Sequence, residues 1–409
     1  MIFNTWLFAI FGVVVYVLYW YVVPKQWRAI FLMVSGLVFY SASIPIYLLL
    51  ILNLGAITYG VIRWLLIIPQ DNLRARRIAL ALGIIASVGV LAFFKYMKFF
   101  AGTFDSLCNG GCINIVPNII VPLAVSFFTF EFVHAVVDVY LGKIKRVTLR
   151  DFWLFTLFFP TMVAGPIKRY QNFVPQIQGV LSADRPTGLL FATGLFRIVL
   201  GLAKKSILAD SMNPLVQPLL TPAPYYTHAD YWIGALAYTA KIYFDFSGYS
   251  DIAIGCALLL GFQILENFDR PYWAPNISQF WRRWHMSLSS WIRDYIFIPL
   301  GGSRRGGFLT VLNLAVVMAL AGLWHGAAWH FVIWGLWNGV GLALHRVWSI
   351  LVGDRFPVAL RDSNWLAAAS IATTFTFVVF GWVLFASPST KTVGIVYAQM
   401  LGVHVAASK

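Results

Sequence analysis

The stretch AGLWHGAAWHFVIWGLWNG, residues 321–339, carries two histidines and four tryptophans and no Asp, Glu, Lys or Arg. It reads as a membrane-buried run, yet an unpaired polar group in hydrocarbon costs roughly 2–7 kcal/mol. His325 and His330 therefore either find partners or do chemistry. Read as one helix, their spacing of five places them on different faces.

The rest of the chain has the same character. Of 409 residues, 60% are hydrophobic and only 11% are charged, against about 25% charged in an average soluble domain. Apolar runs fall at 6–23, 47–68, 78–94, 119–140, 309–323 and 365–385, several near the roughly 20 residues that cross a bilayer. The expected fold is all-α and polytopic, with about ten spanning or partly inserted helices. No internal repeat or low-complexity linker stands out, so one integrated domain over 1–409 is expected. The first run lacks a basic lead and a small-residue cleavage site, and is read as an uncleaved helix.

A net charge of +15 invites a nucleic-acid reading, but no basic and aromatic soluble module is present. Basic loops set membrane topology and attract anionic lipid, so membrane lipid is the expected partner and nucleic acid is not. PKQWR (24–28), RARR (74–77) and KIKR (143–146) alternate with nearly uncharged loops, which puts the amino terminus and the 101–118 loop outside. There Cys108 and Cys112 face an oxidising compartment and could pair across a short loop, while Cys256 sits in an apolar run as packing.

After Asp151 the alternation fails. Residues 152–166 are short, contain Pro160 and end in Gly165-Pro166. They read as a re-entrant segment, which is tolerated at membrane depth only inside protein or beside a water-filled cavity. Residues 280–308 carry too many arginines to span and read as short interfacial helices feeding a polar funnel.

Seven histidines are present. His228 and His404 lie near loops or ends, and His345 adjoins Arg346 late in a hydrophobic segment. His134 has Glu131 three residues before it and Asp138 four after, one helix face that reads first as a structural seam. His285, in QFWRRWHMSLSSWIRDY, has Trp281, Arg282 and Trp284 beside it; His325 is flanked by Trp324 and Gly326. An imidazole kept from bulk water stays neutral, the form that takes a proton from an attacking hydroxyl. No ligand spacing supports a metal among His285, His325 and His330, so none is expected.

Two further clusters are polar within apolar flanks. KIYFDFSGYSDIAIG (241–255) sets Asp245 and Asp251 around a Ser-Gly-Tyr-Ser break. Intramembrane carboxylates face a cavity or a partner; the plainer reading has Ser250 or Asp251 capping the next helix and Asp245 pairing with an arginine. AGPIKRY (164–170) offers Lys168 and Arg169 to an anionic phosphate or a lipid headgroup.

PLAVSFFTFE, FFPTMVAGPIKRYQNF, YFDFSGYSDIAIG, ENFDRPYWAPNISQFWRRWHMSLSSWIRDY and GLWHGAAWHFVIWGLWNG, in this order over roughly residues 120–345, resemble the membrane-bound O-acyltransferase (MBOAT) family. Within it ENFDRPY, SLSSWIRDYIFIPLGGSRRG and GLWHGA are similar to the bacterial alginate O-acetylation members. The resemblance implies an acetyltransferase using a cytoplasmic acyl thioester, acetyl-CoA first, with no permanently bound cofactor. It implies transfer across a bacterial inner membrane toward an extracellular polysaccharide, through a periplasmic SGNH-esterase-like partner or a polymer-synthesis complex. His325 matches the family's catalytic histidine and His285 its second characteristic histidine, expected to orient or polarise the thioester. The chain ends soon after GWVLFASPS, a length similar to the D-alanyl transfer members of teichoic acid synthesis, whose donor is a carrier-protein thioester. Two other classes remain open. A transporter or flippase would share the broken helices and buried carboxylates, and a structural subunit could recruit a soluble transferase.

Overall fold

The computed structural model describes residues 3–108, 119–304, 306–352 and 363–403. The fold is helical throughout; among the described residues there is no strand, only an isolated antiparallel bridge between Phe268 and Trp284. The helices group into two compact units, 1–202 with 249–266, and 203–248 with 267–409.

The first unit contains α1 (Trp6–Val17), α2 (Arg28–Ser41), α3 (Ile46–Ile67), α4 (Leu73–Leu91), α5 (Met97–Leu107) and α6 (Val125–Tyr140). Three short helices, α7 (Leu149–Thr156), α8 (Tyr170–Phe173) and α9 (Ile177–Ser182), precede α10 (Gly188–Leu202). Side chains start several of them. Thr5 accepts from Phe8 N–H, Asn72 from Ala75 N–H at 3.1 Å, and Thr148 from Asp151 N–H at 3.1 Å, each satisfying a donor orphaned at a helix start. Glycine lets backbones close up: a Cβ on Gly36 would lie 1.9 Å from the Leu157 carbonyl oxygen, and one on Gly55 would strike Trp153.

The second unit holds α11 (Gln217–Leu220) and the first part of α12 (His228–Leu259), followed by α13 (Ile277–Arg283) and α14 (Met286–Ile292). Next come α15 (Gly307–His325), α16 (Trp329–Leu351), α17 (Asn364–Ala386) and α18 (Thr390–Met400). Helices α15 and α16 form a hairpin zipped by small residues. A Cβ on Gly322 would sit 2.1 Å from the Phe331 carbonyl oxygen, and one on Gly335 2.1 Å from that of Met318. Such close approach is how helices associate where water supplies no driving force.

Among the described residues four helices are long and apolar enough to cross a membrane: Ile46–Ile67, Leu73–Leu107, Gly307–His325 and Asn364–Ala386; Trp6–Val22 is apolar but shorter. Length and composition single out these four as candidate spans, and the expected count of about ten spanning or partly inserted helices is not confirmed. Much of the remaining apolar sequence is cut into pieces of four to eight residues, α7, α8, α9, α11, α13 and α14. Helix α12 carries Lys241, Asp245 and Asp251, and α16 carries two histidines and an arginine.

Two readings are corrected. Ser247-Gly248-Tyr249-Ser250 is no break, because α12 runs unbroken through it for 32 residues. Ser250 and Asp251 therefore cap nothing. Gly and Ser signal turns in water, but a helix buried in apolar surroundings keeps its backbone bonds. Nor is 321–339 one helix. It folds as the end of α15, a turn at 326–328 and the start of α16, so His325 and His330 stand on different helices rather than on two faces of one.

The broken segment at 152–166 is present: α7 ends at Thr156 and a 3-10 turn follows at Phe159–Thr161. Protein encloses it, since Phe152, Phe155 and Phe158 are fully buried. Residues 280–308 form the expected short helices, α13, α14 and a π turn over Arg293–Phe297. Cys112 and His404 lie outside the described residues, and with Cys112 the question of a Cys108–Cys112 pairing.

Candidate active site

The site is assembled from the second unit. His325 is the last residue of α15, half-buried at the tip of the zipped hairpin. Its ring is flanked by Trp324 at 4.5 Å between centroids, Phe385 at 5.0 Å and Trp334 at 5.1 Å, all edge-on or nearly so. Gly326 follows it for a steric reason: a Cβ there would lie 2.1 Å from Cε2 of Phe331. The small residues beside His325 thus admit an aromatic ring of the next helix.

Behind this collar the indoles continue. Trp334 stacks on Trp382 at 5.8 Å, Trp382 meets Trp284 at 4.8 Å, and Trp281 meets Trp334 at 5.8 Å. Trp281 donates from Nε1 to the Asn338 side-chain oxygen at 3.3 Å, and Asn338 donates to the Trp334 carbonyl at 2.8 Å. The polar edges of these rings are partly satisfied by a second layer, which fixes how they face His325.

His285 precedes α14 and is 1% exposed. Its backbone is left-handed, φ 45° and ψ 54°, a conformation that costs a residue other than glycine about 1–3 kcal/mol and persists only where its surroundings impose it. Here they do. Asp269 N–H donates to the Arg283 carbonyl at 3.0 Å, and Met286 N–H to the Asn267 carbonyl at 2.9 Å. The two bonds hold the chain on either side of the kink. The imidazole contacts Phe246 at 4.6 Å and Trp324 at 6.1 Å. Outside the four spans, burial pushes it down from 6.5 to about 3, so it is neutral at physiological pH.

The structure thus brings Trp281, Trp284, His285, Trp324 and His325 into one chain of ring contacts. Arg282 is exposed beside them. Asp245 also belongs to this unit, but it pairs with Lys205 at 2.7 Å, and Lys205 in turn with Asp210 at 2.8 Å. Its partner is a lysine, where the sequence suggested an arginine.

Lys168 and Arg169 fall in the other unit. Lys168 is buried and ion-paired with Glu131, so its charge has a protein partner. A cleft of about 240 Å³ lies alongside, lined by Lys168, Arg169, Asn172 and Gln176. The seam on α6 is engaged within the protein: His134 Nε2 accepts from Tyr170 N–H at 3.0 Å, while Asp138 accepts from Lys143 at 3.0 Å and from Gln171. Asp251 pairs with Arg197, which also reaches Glu266.

Sequence reasoning passed over Asn267, Phe246, Phe385 and Trp382. Asn267 stands in ENFDRPY, where its amide beside a turn-forming Asp-Arg-Pro was the one available signal.

Comparison with known proteins identifies the family. The profile of the MBOAT, membrane-bound O-acyltransferase family, matches residues 58–386. The chain is 36% identical to the "probable alginate O-acetylase" of Azotobacter vinelandii, over 98% of this chain and 78% of that protein. It is 32% identical to the peptidoglycan O-acetyltransferase of Helicobacter pylori, over 93% of this chain and 74% of that one. It is also 31% identical to the teichoic acid D-alanyltransferase of Streptococcus thermophilus, over 64% and 68%. The chain belongs to the membrane-bound O-acyltransferase family and is an O-acyltransferase of the membrane.

Proposed function

We propose that this chain takes an acyl group, acetyl first, from a cytoplasmic thioester such as acetyl-CoA and passes it across a bacterial inner membrane. The acceptor is a hydroxyl of an extracellular polysaccharide, or of a periplasmic SGNH-like partner or polymer-synthesis complex that carries the group onward. The alginate and peptidoglycan acetylating relatives support acetyl, and the basic loops at 24–28, 74–77 and 143–146 support a cytoplasmic donor side. The whole chain acts as one domain. D-alanyl from a carrier-protein thioester is the second reading, favoured by the D-alanyltransferase relative.

One observation carries the chemistry. His325 is a half-buried imidazole at a helix end, collared by aromatic rings yet not sealed by them. In this reading it accepts the proton of the attacking hydroxyl as the C–O bond forms. The C–S bond then breaks, and the proton passes from the imidazole to the departing thiolate. General-base help of this kind supplies about 10²–10⁴-fold. The tryptophan collar excludes water that would hydrolyse the thioester. In this reading the exposed Arg282 meets anionic groups of the donor or of lipid and Asp245 acts in support through its pair with Lys205, while in the other unit the cleft beside Lys168 and Arg169 takes an anionic group of donor or lipid.

The test is mass spectrometry of surface polymer from a strain lacking this gene. Wild-type protein should restore the acyl ester, and His325→Ala should not, while reaching the membrane in equal amount. Restoration by His325→Ala would remove it as the base. Movement of an intact glycan with no thioester consumed would favour a transporter instead. A soluble partner able to perform the full transfer alone would leave this chain a scaffold.

A further inference from the structure

His285 has one ring nitrogen accounted for and one that is not. The side-chain oxygen of Asn267, itself fully buried, accepts from Ser287 N–H at 3.3 Å and from Ser287 Oγ at 2.7 Å, and lies 3.2 Å from His285 Nδ1. A backbone N–H can only donate, so the Asn267 atom facing Ser287 is its oxygen and not its nitrogen. That oxygen has no proton to offer His285. Nδ1 must therefore carry the proton, and the neutral ring keeps a bare lone pair on Nε2. Nε2 is buried and has no hydrogen-bond partner among the described residues. Phe246 and Trp324 pack beside the ring, and Trp324 continues to His325.

A buried acceptor without a donor calls for an explanation. We propose that Asn267 is a positioning residue that fixes His285 in its Nδ1-protonated form, so that Nε2 meets the substrate as a hydrogen-bond acceptor. The substrate group it takes is an O–H or N–H. A thioester carbonyl is itself an acceptor, so the polarising role that the sequence suggested for His285 would need the opposite tautomer. This inference rests on the reading that these rings border the transfer site. The donor has two possible sources: the acceptor hydroxyl, or an amide N–H on the pantetheine arm of the thioester.

The tautomer is read by nitrogen NMR of the full chain with isotope-labelled histidine, with His285→Gln to assign the signal. This readout needs no activity, so it stands even if the acyl-transfer reading fails. The expected spectrum has a protonated Nδ1 and a bare Nε2, kept in Asn267→Asp, whose carboxylate also accepts, and lost in Asn267→Leu. A proton on Nε2 in the wild type, or an unchanged tautomer in Asn267→Leu, overturns the proposal. Should Asn267→Leu not fold, the wild-type spectrum still decides.

Steady-state kinetics with acetyl-CoA and an oligosaccharide acceptor then identifies the source. Loss of one hydrogen bond corresponds to about a tenfold change. In Asn267→Leu a KM raised about tenfold for the oligosaccharide assigns the hydroxyl to Nε2. The same rise for acetyl-CoA assigns the pantetheine amide. Asn267→Asp should restore either. A loss of kcat with both KM values unchanged overturns the acceptor role.

Discussion

The imidazole of His325 stands edge-on to the indole of Trp334, ring centroids 5.1 Å apart and planes at 88°. Trp334 is itself fixed from behind by Trp382 and from the side by Trp281. The orientation of the histidine is thus inherited from packing on α13, α16 and α17. Because a misplacement near 1 Å can cost about 10²-fold, Trp334→Leu should lower kcat by roughly that factor at a similar membrane level. Trp334→Phe, which keeps an edge-on ring, should lose far less. The check is initial-rate kinetics at saturating thioester; equal rates in all three proteins would show that the collar does not orient His325.

The α15–α16 hairpin makes a second claim testable. Gly335 has the Met318 carbonyl oxygen where a Cβ would go, whereas Gly60 on α3 has open space around it. Overpacking costs about 1–3 kcal/mol, so Gly335→Val should lower the thermal midpoint in detergent and lower activity with it. Gly60→Ala should be neutral or stabilising, since glycine in a helix interior is less favourable than alanine by roughly 0.5–1 kcal/mol.

Lys168 and Glu131 form a pair buried on both sides, with side chains 2% and 4% exposed. Breaking such a pair from one side strands a charge and costs about 3–5 kcal/mol, while replacing both partners by apolar residues is often neutral. Lys168→Met should therefore destabilise strongly, and Glu131→Leu/Lys168→Met should recover most of the loss in a thermal melt. A double variant as unstable as the single one would show that the stranded Glu131 charge is not what destabilises Lys168→Met.

Burial of His285 predicts a pH signature. Its value falls from 6.5 to about 3 in the folded chain, so between those limits the unfolded chain binds the extra proton. Stability then declines as pH drops below about 6.5 and levels off near 3. His285→Gln, which cannot titrate, should flatten the fall in thermal midpoint between pH 6.5 and pH 5 relative to wild type. Parallel curves would mean that the ring is not held neutral.

The membrane character and the short helices at 152–166 and 280–308 were legible because they rest on local composition: apolar runs, a proline, clustered arginines. The motifs around them singled out His285 and His325, which both contact Trp324. What escaped was non-local or context-dependent. Asn267 lies 18 residues from His285, and only the pairing of 267–269 with 283–286 brings them together. Lys168 reads as a free cation until Glu131, 37 residues away, meets it in the core. The continuity of α12 through Gly248 was hidden because turn signals learned in water weaken where no water competes for the backbone.

The most direct test of acyl transfer at His325 uses purified protein, a labelled acyl thioester and a soluble oligosaccharide, reading thiol release and ester formation together. The wild type should release thiol in step with ester, and His325→Ala should do neither above background while keeping the wild-type melting curve. Ester formed by His325→Ala at the wild-type rate would contradict the account.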